Sequence, residues 1–221
     1  MNDVLSALFG STARVKILRL FLSNIDSCYT QDEIAKLAKV HIQTVRKEIN
    51  LLTKIGFIKK QSDTRMVMAG RGKNKKETPK KVSGFTVDRS FTDLIALRNF
   101  MLNIQPTDDK GILKKVTAAG KMKLVIIAGV FIRDTDSRID ILVVGDAIKD
   151  SKLKAAIRDL ESHMGHELRY AAFSTNDFTY RLSVYDRLVR DVLDYPHQII
   201  VDHLAPTWKD VHMRKIGKSD L

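Results

Sequence analysis

The stretch "GVFIRDTDSRIDILVVGD", Gly129 to Asp146, sets a polar turn between two apolar segments. Carboxylates that alternate along one strand face can hold divalent cations. Side chains at i and i+2 project to the same side, and their hard oxygens suit Mg²⁺. Asp140 stands where one such ligand belongs, at the entry to the second apolar segment. Two residues back, where its partner is needed, stands Arg138. An arginine supplies no oxygen and brings positive charge to the place of the cation. Asp134 and Asp136 lie in the turn, outside the strand spacing. The frame of metal chemistry is present without most of its ligands.

Other reactive constellations are sparse. His163 and His166 have a spacing compatible with a metal, but they read as surface positions rather than ligands. No Gly-rich phosphate loop and no Ser-His-Asp signature occurs. Cys28 is the single cysteine of the chain, so an intrachain disulfide is excluded and a reducing cytoplasm is expected. The N-terminal residues carry no basic-apolar-small cleavage pattern, and no secretory signal is expected. The longest apolar run, Leu124 to Ile132, falls short of the about 20 residues that cross a bilayer. No membrane partner is expected.

The chain has 221 residues, 44% of them hydrophobic, enough for more than one buried core. Its formal net charge of +12 is uneven: residues 1–110 carry +9 and residues 111–221 carry +3. A basic half beside a near-neutral half points to a polyanion partner for the first.

That first half shows three helical patterns. Ser11 or Thr12 can cap a helix whose Val15, Leu18, Phe21 and Leu22 form an apolar face. Thr30 and Glu33 make a capping box for a second helix, with Ile34, Leu37 and Ala38 inward. After a turn at 39–41, a third helix buries Val45, Ile49 and Leu52 and ends at Gly56. Its outward positions are Gln43, Thr44, Arg46 and Lys47, with Asn50 one turn on. Gln pairs bidentately with adenine and Arg with guanine, while Thr and Lys serve bases or phosphates. A solvated helix face is the competing reading.

"FIKKQ" leads out as a strand, and "KVSGFTVD" returns with Phe85 and Val87 on one face. The residues between read as an irregular basic loop. Gly70, Gly72 and Pro79 oppose regular structure, and Arg71, Lys73, Lys75, Lys76, Lys80 and Lys81 face one Glu77. Such a loop adds affinity for phosphates through counterion release. It has no aromatic residue, so stacking on single strands is not indicated.

On "LFGSTARVKILRLFL", "YTQDEIAKLAKV" and "TVRKEINLLTKIGFI", residues 8–90 resemble winged-helix transcription regulators of the arsenic-repressor type. The resemblance implies a helix-turn-helix with the third helix in the major groove, and double-stranded DNA as partner.

A further helix over "DRSFTDLIALRNFMLNI", capped by Ser90 or Thr92, carries Leu94, Ile95, Leu97, Phe100, Met101 and Ile104. It suits packing between domains or a homodimer interface. "QPTDDKG" breaks the chain, and "ILKKVTAAG" gives a short helix. Two strands follow, then a helix beginning near Asp150 or Ser151, a third strand in "HELRYAAFS", one long helix over "DFTYRLSVYDRLVRDVLD" and an extended "HQIIVD". The long helix is expected to turn Phe178, Leu182, Tyr185, Leu188, Val189 and Val192 inward.

This order, with the hairpin at Gly129, resembles the minimal nucleotidyltransferase domain over roughly 108–202. That family carries Gly-Ser after its first strand, then two alternating carboxylates entering the second and a third acidic residue on the next strand. Gly129 matches the glycine and Val130 replaces the serine. Arg133 fits the basic turn residue, Ser137 precedes the pair, Arg138 replaces the first carboxylate and Asp140 keeps the second. Arg169 stands at the third acidic position, with Glu167 two residues away. These departures from the family's pattern point to a retained fold with transfer chemistry lost, and Arg138 is expected to pair with Asp140 or Glu167.

The expected architecture is α+β. A winged helix-turn-helix spans 1–90, a linking helix 91–107, a nucleotidyltransferase-like mixed-sheet domain 108–203, and a basic tail 204–221. The expected function is DNA-binding transcription regulation, with the second domain sensing an anionic small molecule or nucleotide, or holding a dimer. No metal or other cofactor is expected. The alternative is a Mg²⁺-dependent nucleotidyltransferase acting on nucleic acid or protein.

Overall fold

The computed structural model describes residues 4–69, 76–134 and 136–204. The chain is α+β and divides into two compact units. Among the described residues one comprises 4–106 and 161–166, the other 107–160 and 167–204.

In the first unit four helices precede a hairpin: α1 (Val4–Leu8), α2 (Thr12–Ser23), α3 (Gln31–Ala38) and α4 (Ile42–Lys54). Ser11 caps α2 by accepting the Arg14 N–H. The reciprocal capping box of Thr30 and Glu33 starts α3, and Lys39 ends it in the left-handed conformation. Gly56 follows α4 at φ 78, a conformation that costs a residue without Cβ little. All of Val15 to Leu22 in α2 is buried, so this helix is the centre of the core rather than a one-sided stripe. Arg19 is buried with it and donates to the carbonyls of Met101 and Ile104. Leu37, expected inward, is instead exposed. On an eight-residue helix, Ile34 and Ala38 already fill the inward face.

The expected loop between the strands is largely sheet. β1 (Ile58–Ala69) and β2 (Lys76–Val87) pair in continuous antiparallel register from Ile58–Val87 to Ala69–Lys76. Each strand has 12 residues, roughly 40 Å of strand. Pro79 is accommodated for a geometric reason. Phe85 exchanges both backbone hydrogen bonds with Tyr29, at 2.8 and 2.9 Å, on the edge away from β1. Pro79 has the same parity along β2, so its missing N–H falls on that outer edge and removes no rung. The helix α5 (Leu94–Asn103) closes this unit. Met101 is buried, Leu94 and Leu97 pack on the core, and Ile95 and Phe100 are exposed. Its N-cap is Asp93 rather than Ser90 or Thr92.

The second unit begins with α6 (Asp109–Thr117), capped by Asp108. Its sheet is ordered β5-β4-β3-β6, from β3 (Lys121–Ile127), β4 (Ile141–Asp146), β5 (Tyr170–Phe173) and β6 (Gln198–Asp202). β4 and β5 are parallel and the other neighbours antiparallel. The helix α7 (Asp150–Met164) supplies the crossover between the parallel pair. β3 and β4 are buried almost throughout because helices cover the sheet.

The long helix expected over 177–194 is two. α8 (Thr175–Ser183) and α9 (Arg187–Asp194) meet at Tyr185, which takes φ 58. Asp186 then caps α9 by accepting the N–H groups of Leu188 and Val189. The break reorients the apolar set. Phe178, Leu182, Val189, Val192 and Leu193 enter the core, while Tyr185 and Leu188 are exposed.

Candidate functional site

The outward face of α4 is assembled by its inward one. Val45, Ile49 and Leu52 anchor the helix, and Glu48 reaches back into the unit. Its carboxylate accepts Arg14 Nε at 2.8 Å and Ser11 Oγ at 3.0 Å, tying α4 to the start of α2. Gln43, Arg46, Lys47 and Asn50 are thereby exposed together, with Thr44 half-buried. The N-cap is His41, which sequence reasoning passed over; its Nδ1 accepts the Gln43 N–H at 3.4 Å. The available signal was weak: with no Ser, Thr, Asp or Asn just before Ile42, His41 is the nearest side chain that can accept.

The basic segment is split. Arg71, Lys73 and Lys75 lie outside the described residues, as does the side chain of Lys76. Lys80 and Lys81 are exposed on β2, in sheet rather than loop, opposite Arg65 and Thr64. Arg65 is committed to protein groups: it bonds the Glu33 carboxylate, the Cys28 carbonyl, and Asp63 Oδ2 at 2.9 Å.

The second site lies at the start of β4. Asp140 is 1% exposed and fully engaged. Oδ1 accepts the Val130 N–H at 3.2 Å and Oδ2 the Arg169 N–H at 2.8 Å. The Arg169 guanidinium closes on both oxygens at 3.3 Å. Gly129 sits at φ 53 with the carboxylate against it; a Cβ there would lie 2.1 Å from Oδ1. Asp140 thus fastens the turn after β3 to the strand entry at Arg169.

Arg138, expected to pair with Asp140 or Glu167, turns elsewhere: its Nη1 lies 3.2 Å from Asp191 Oδ2 on α9. Arg169 reaches Asp140 first because its own backbone N–H already binds that carboxylate. Ser137 is buried and donates to the Ile139 carbonyl at 2.7 Å. Asp134 accepts the Asp136 N–H at 3.0 Å and serves the turn locally. Arg133, in the left-handed region at φ 63, and Glu167 are both exposed. The structure therefore unites Gly129, Val130, Asp140 and Arg169, and sends Arg138 to a different partner.

Comparison with models of known families, with characterised proteins and with solved structures gives no match for this chain. No helix among the described residues is long and apolar enough to cross a membrane.

Proposed function

We propose that this protein is a DNA-binding transcription regulator. In this reading the first unit is a winged helix-turn-helix whose α4 enters the major groove of double-stranded DNA. The observation that carries it is the joint exposure of Gln43, Arg46, Lys47 and Asn50 on one face of a helix held by Glu48, Ile49 and Leu52. These four offer the donors and acceptors that read base edges and phosphates. The second unit is a nucleotidyltransferase-like module, used for ligand sensing or dimerisation.

The alternative, metal-dependent nucleotidyl transfer, is disfavoured by the state of Asp140. Both its oxygens accept protein donors, and a guanidinium covers them. A salt titration of duplex binding tests the proposal. Neutralising six to ten phosphates predicts a loss of ~10³–10⁵ in affinity between 50 and 200 mM salt. A salt-independent affinity, or no binding of duplex at 50 mM salt, sinks it.

A further inference from the structure

We propose that a cleft on α9 binds a small planar aromatic anion, of the purine mononucleotide class. The cleft is half-open, with a volume of about 620 Å³, and is lined by Tyr185, Arg187, Arg190, Asp191, Asp194 and Tyr195. Tyrosines stand at both ends of the helix and are exposed, at 45% and 57%. Between them run the charged groups of one helix face. The site is mostly charged, with an aromatic ring at each end of the helix face to receive a flat ligand.

The corner that presents Tyr185 is over-determined. Arg181 binds Asp177 at 3.1 Å and Asp186 at 3.0 Å, and its guanidinium lies 4.6 Å over the Phe173 ring. Asp186 in turn caps α9. These interactions hold a tyrosine at φ 58, where a bulky residue is disfavoured and glycine is not. A backbone kept in a costly conformation is stabilised by the surrounding fold, a pattern that clusters at ligand sites.

The charges select the ligand. Asp191 lies 3.2 Å from Arg138 but 4.0 Å from Arg187, so its nearer cation comes from the hairpin turn. Arg187, with 79% of its side chain exposed, is the least committed guanidinium in the cleft. It is the natural receptor for a phosphate. Arg190 is held to Asp194 at 3.4 Å, which leaves that carboxylate 40% exposed beside Tyr195. A carboxylate there favours a ring bearing N–H donors, as purines do, and tyrosine faces stack on any base. The face therefore offers a stacking wall, an anion receptor and an acceptor in one line.

The proposal deepens the sensing role given to the second unit and rests on that part of the reading alone. It is tested by calorimetric titration of the full chain with AMP and GMP, and with adenosine, guanosine and ribose 5-phosphate as halves. One of the two nucleotides should bind saturably at a single site, at least tenfold tighter than either of its halves. Arg187→Gln should lower nucleotide affinity at least tenfold and leave nucleoside affinity unchanged. Tyr185→Gly should abolish binding while its unfolding midpoint holds or rises, because glycine accepts φ 58. Arg169→Gln, at the hairpin carboxylate, should leave binding intact. No saturable heat up to millimolar nucleotide overturns the proposal, as does unchanged affinity in Tyr185→Gly. Loss confined to Arg169→Gln would move the site to the hairpin and also overturn it. Duplex binding is a separate readout, so failure here leaves the DNA reading untouched.

Discussion

Asp140 is a structural carboxylate. Removing it strands two backbone N–H groups, those of Val130 and Arg169, and releases a guanidinium. Each buried donor left without an acceptor costs ~1–3 kcal/mol. The Arg169 side chain is half-exposed and regains water, so its release adds little. Asp140→Ala should therefore lose about 2–3 kcal/mol of stability in urea unfolding, and Asp140→Asn, which keeps one acceptor, about half of that. Gly129→Ala should be at least as damaging, since its Cβ meets Oδ1 at 2.1 Å from a left-handed backbone. A change under about 0.5 kcal/mol for Asp140→Ala, the range of a featureless surface substitution, would show that the carboxylate is not the fastening of this turn.

The capping box of α3 makes a second prediction with a pH dependence. Burial opposes the Glu33 charge, but hydrogen bonds from Thr30 and the Arg65 guanidinium outweigh it and hold the carboxyl below its ordinary value. A depressed folded value means stability that is present above the unfolded value and lost as pH falls through the folded one. The loss therefore falls below about pH 4.3, the unperturbed glutamate value. Glu33→Gln keeps the cap geometry without the titration, so its stability gap to wild type should narrow as pH drops from 5 to 3. A constant gap in urea titrations across that range would contradict this. Thr30→Ala should cost about 1 kcal/mol at neutral pH.

This box was legible in the sequence because its partners are three residues apart. So were the inward faces of α3 and α4 at Ile34, Val45, Ile49 and Leu52, and the strand-turn-strand around Asp140. What escaped the sequence depends on partners distant in the chain. Glu48 falls on the inward face by spacing, three residues from Val45 and four from Leu52, but its charge reads as solvent-facing; its partner Arg14 lies 34 residues away. The second hairpin strand runs on through Pro79 because ladder pairing overrides local preference, while Gly70 and Gly72 lie outside the described residues. Arg138 and Asp191 are 53 positions apart. The break at Tyr185 has no glycine or proline to announce it; a tyrosine in the left-handed region is imposed by Arg181 and Asp186.

Across the chain, net positive charge concentrates in the half that carries α4 and the hairpin, +9 against +3. If the basic residues between the two strands meet phosphates, replacing Lys73, Lys75 and Lys76 with alanine should flatten log K against log salt by ~0.9 for each phosphate no longer neutralised. An unchanged slope would remove these lysines from the interface. On the same reading, no radiolabel is incorporated from any ribonucleoside triphosphate with Mg²⁺ or Mn²⁺. Incorporation that disappears in Asp140→Ala would return the chain to the transferases. The central claim of the proposed function is that α4 reads sequence. Selection of duplexes from a random pool decides this, followed by affinity measurements on single base-pair variants of the winner with wild type, Gln43→Ala and Arg46→Ala. Each substitution should cost ~1–3 kcal/mol at particular base pairs and relax preference only there. Equal loss on every duplex, or no enrichment of any sequence, would contradict a sequence-reading α4.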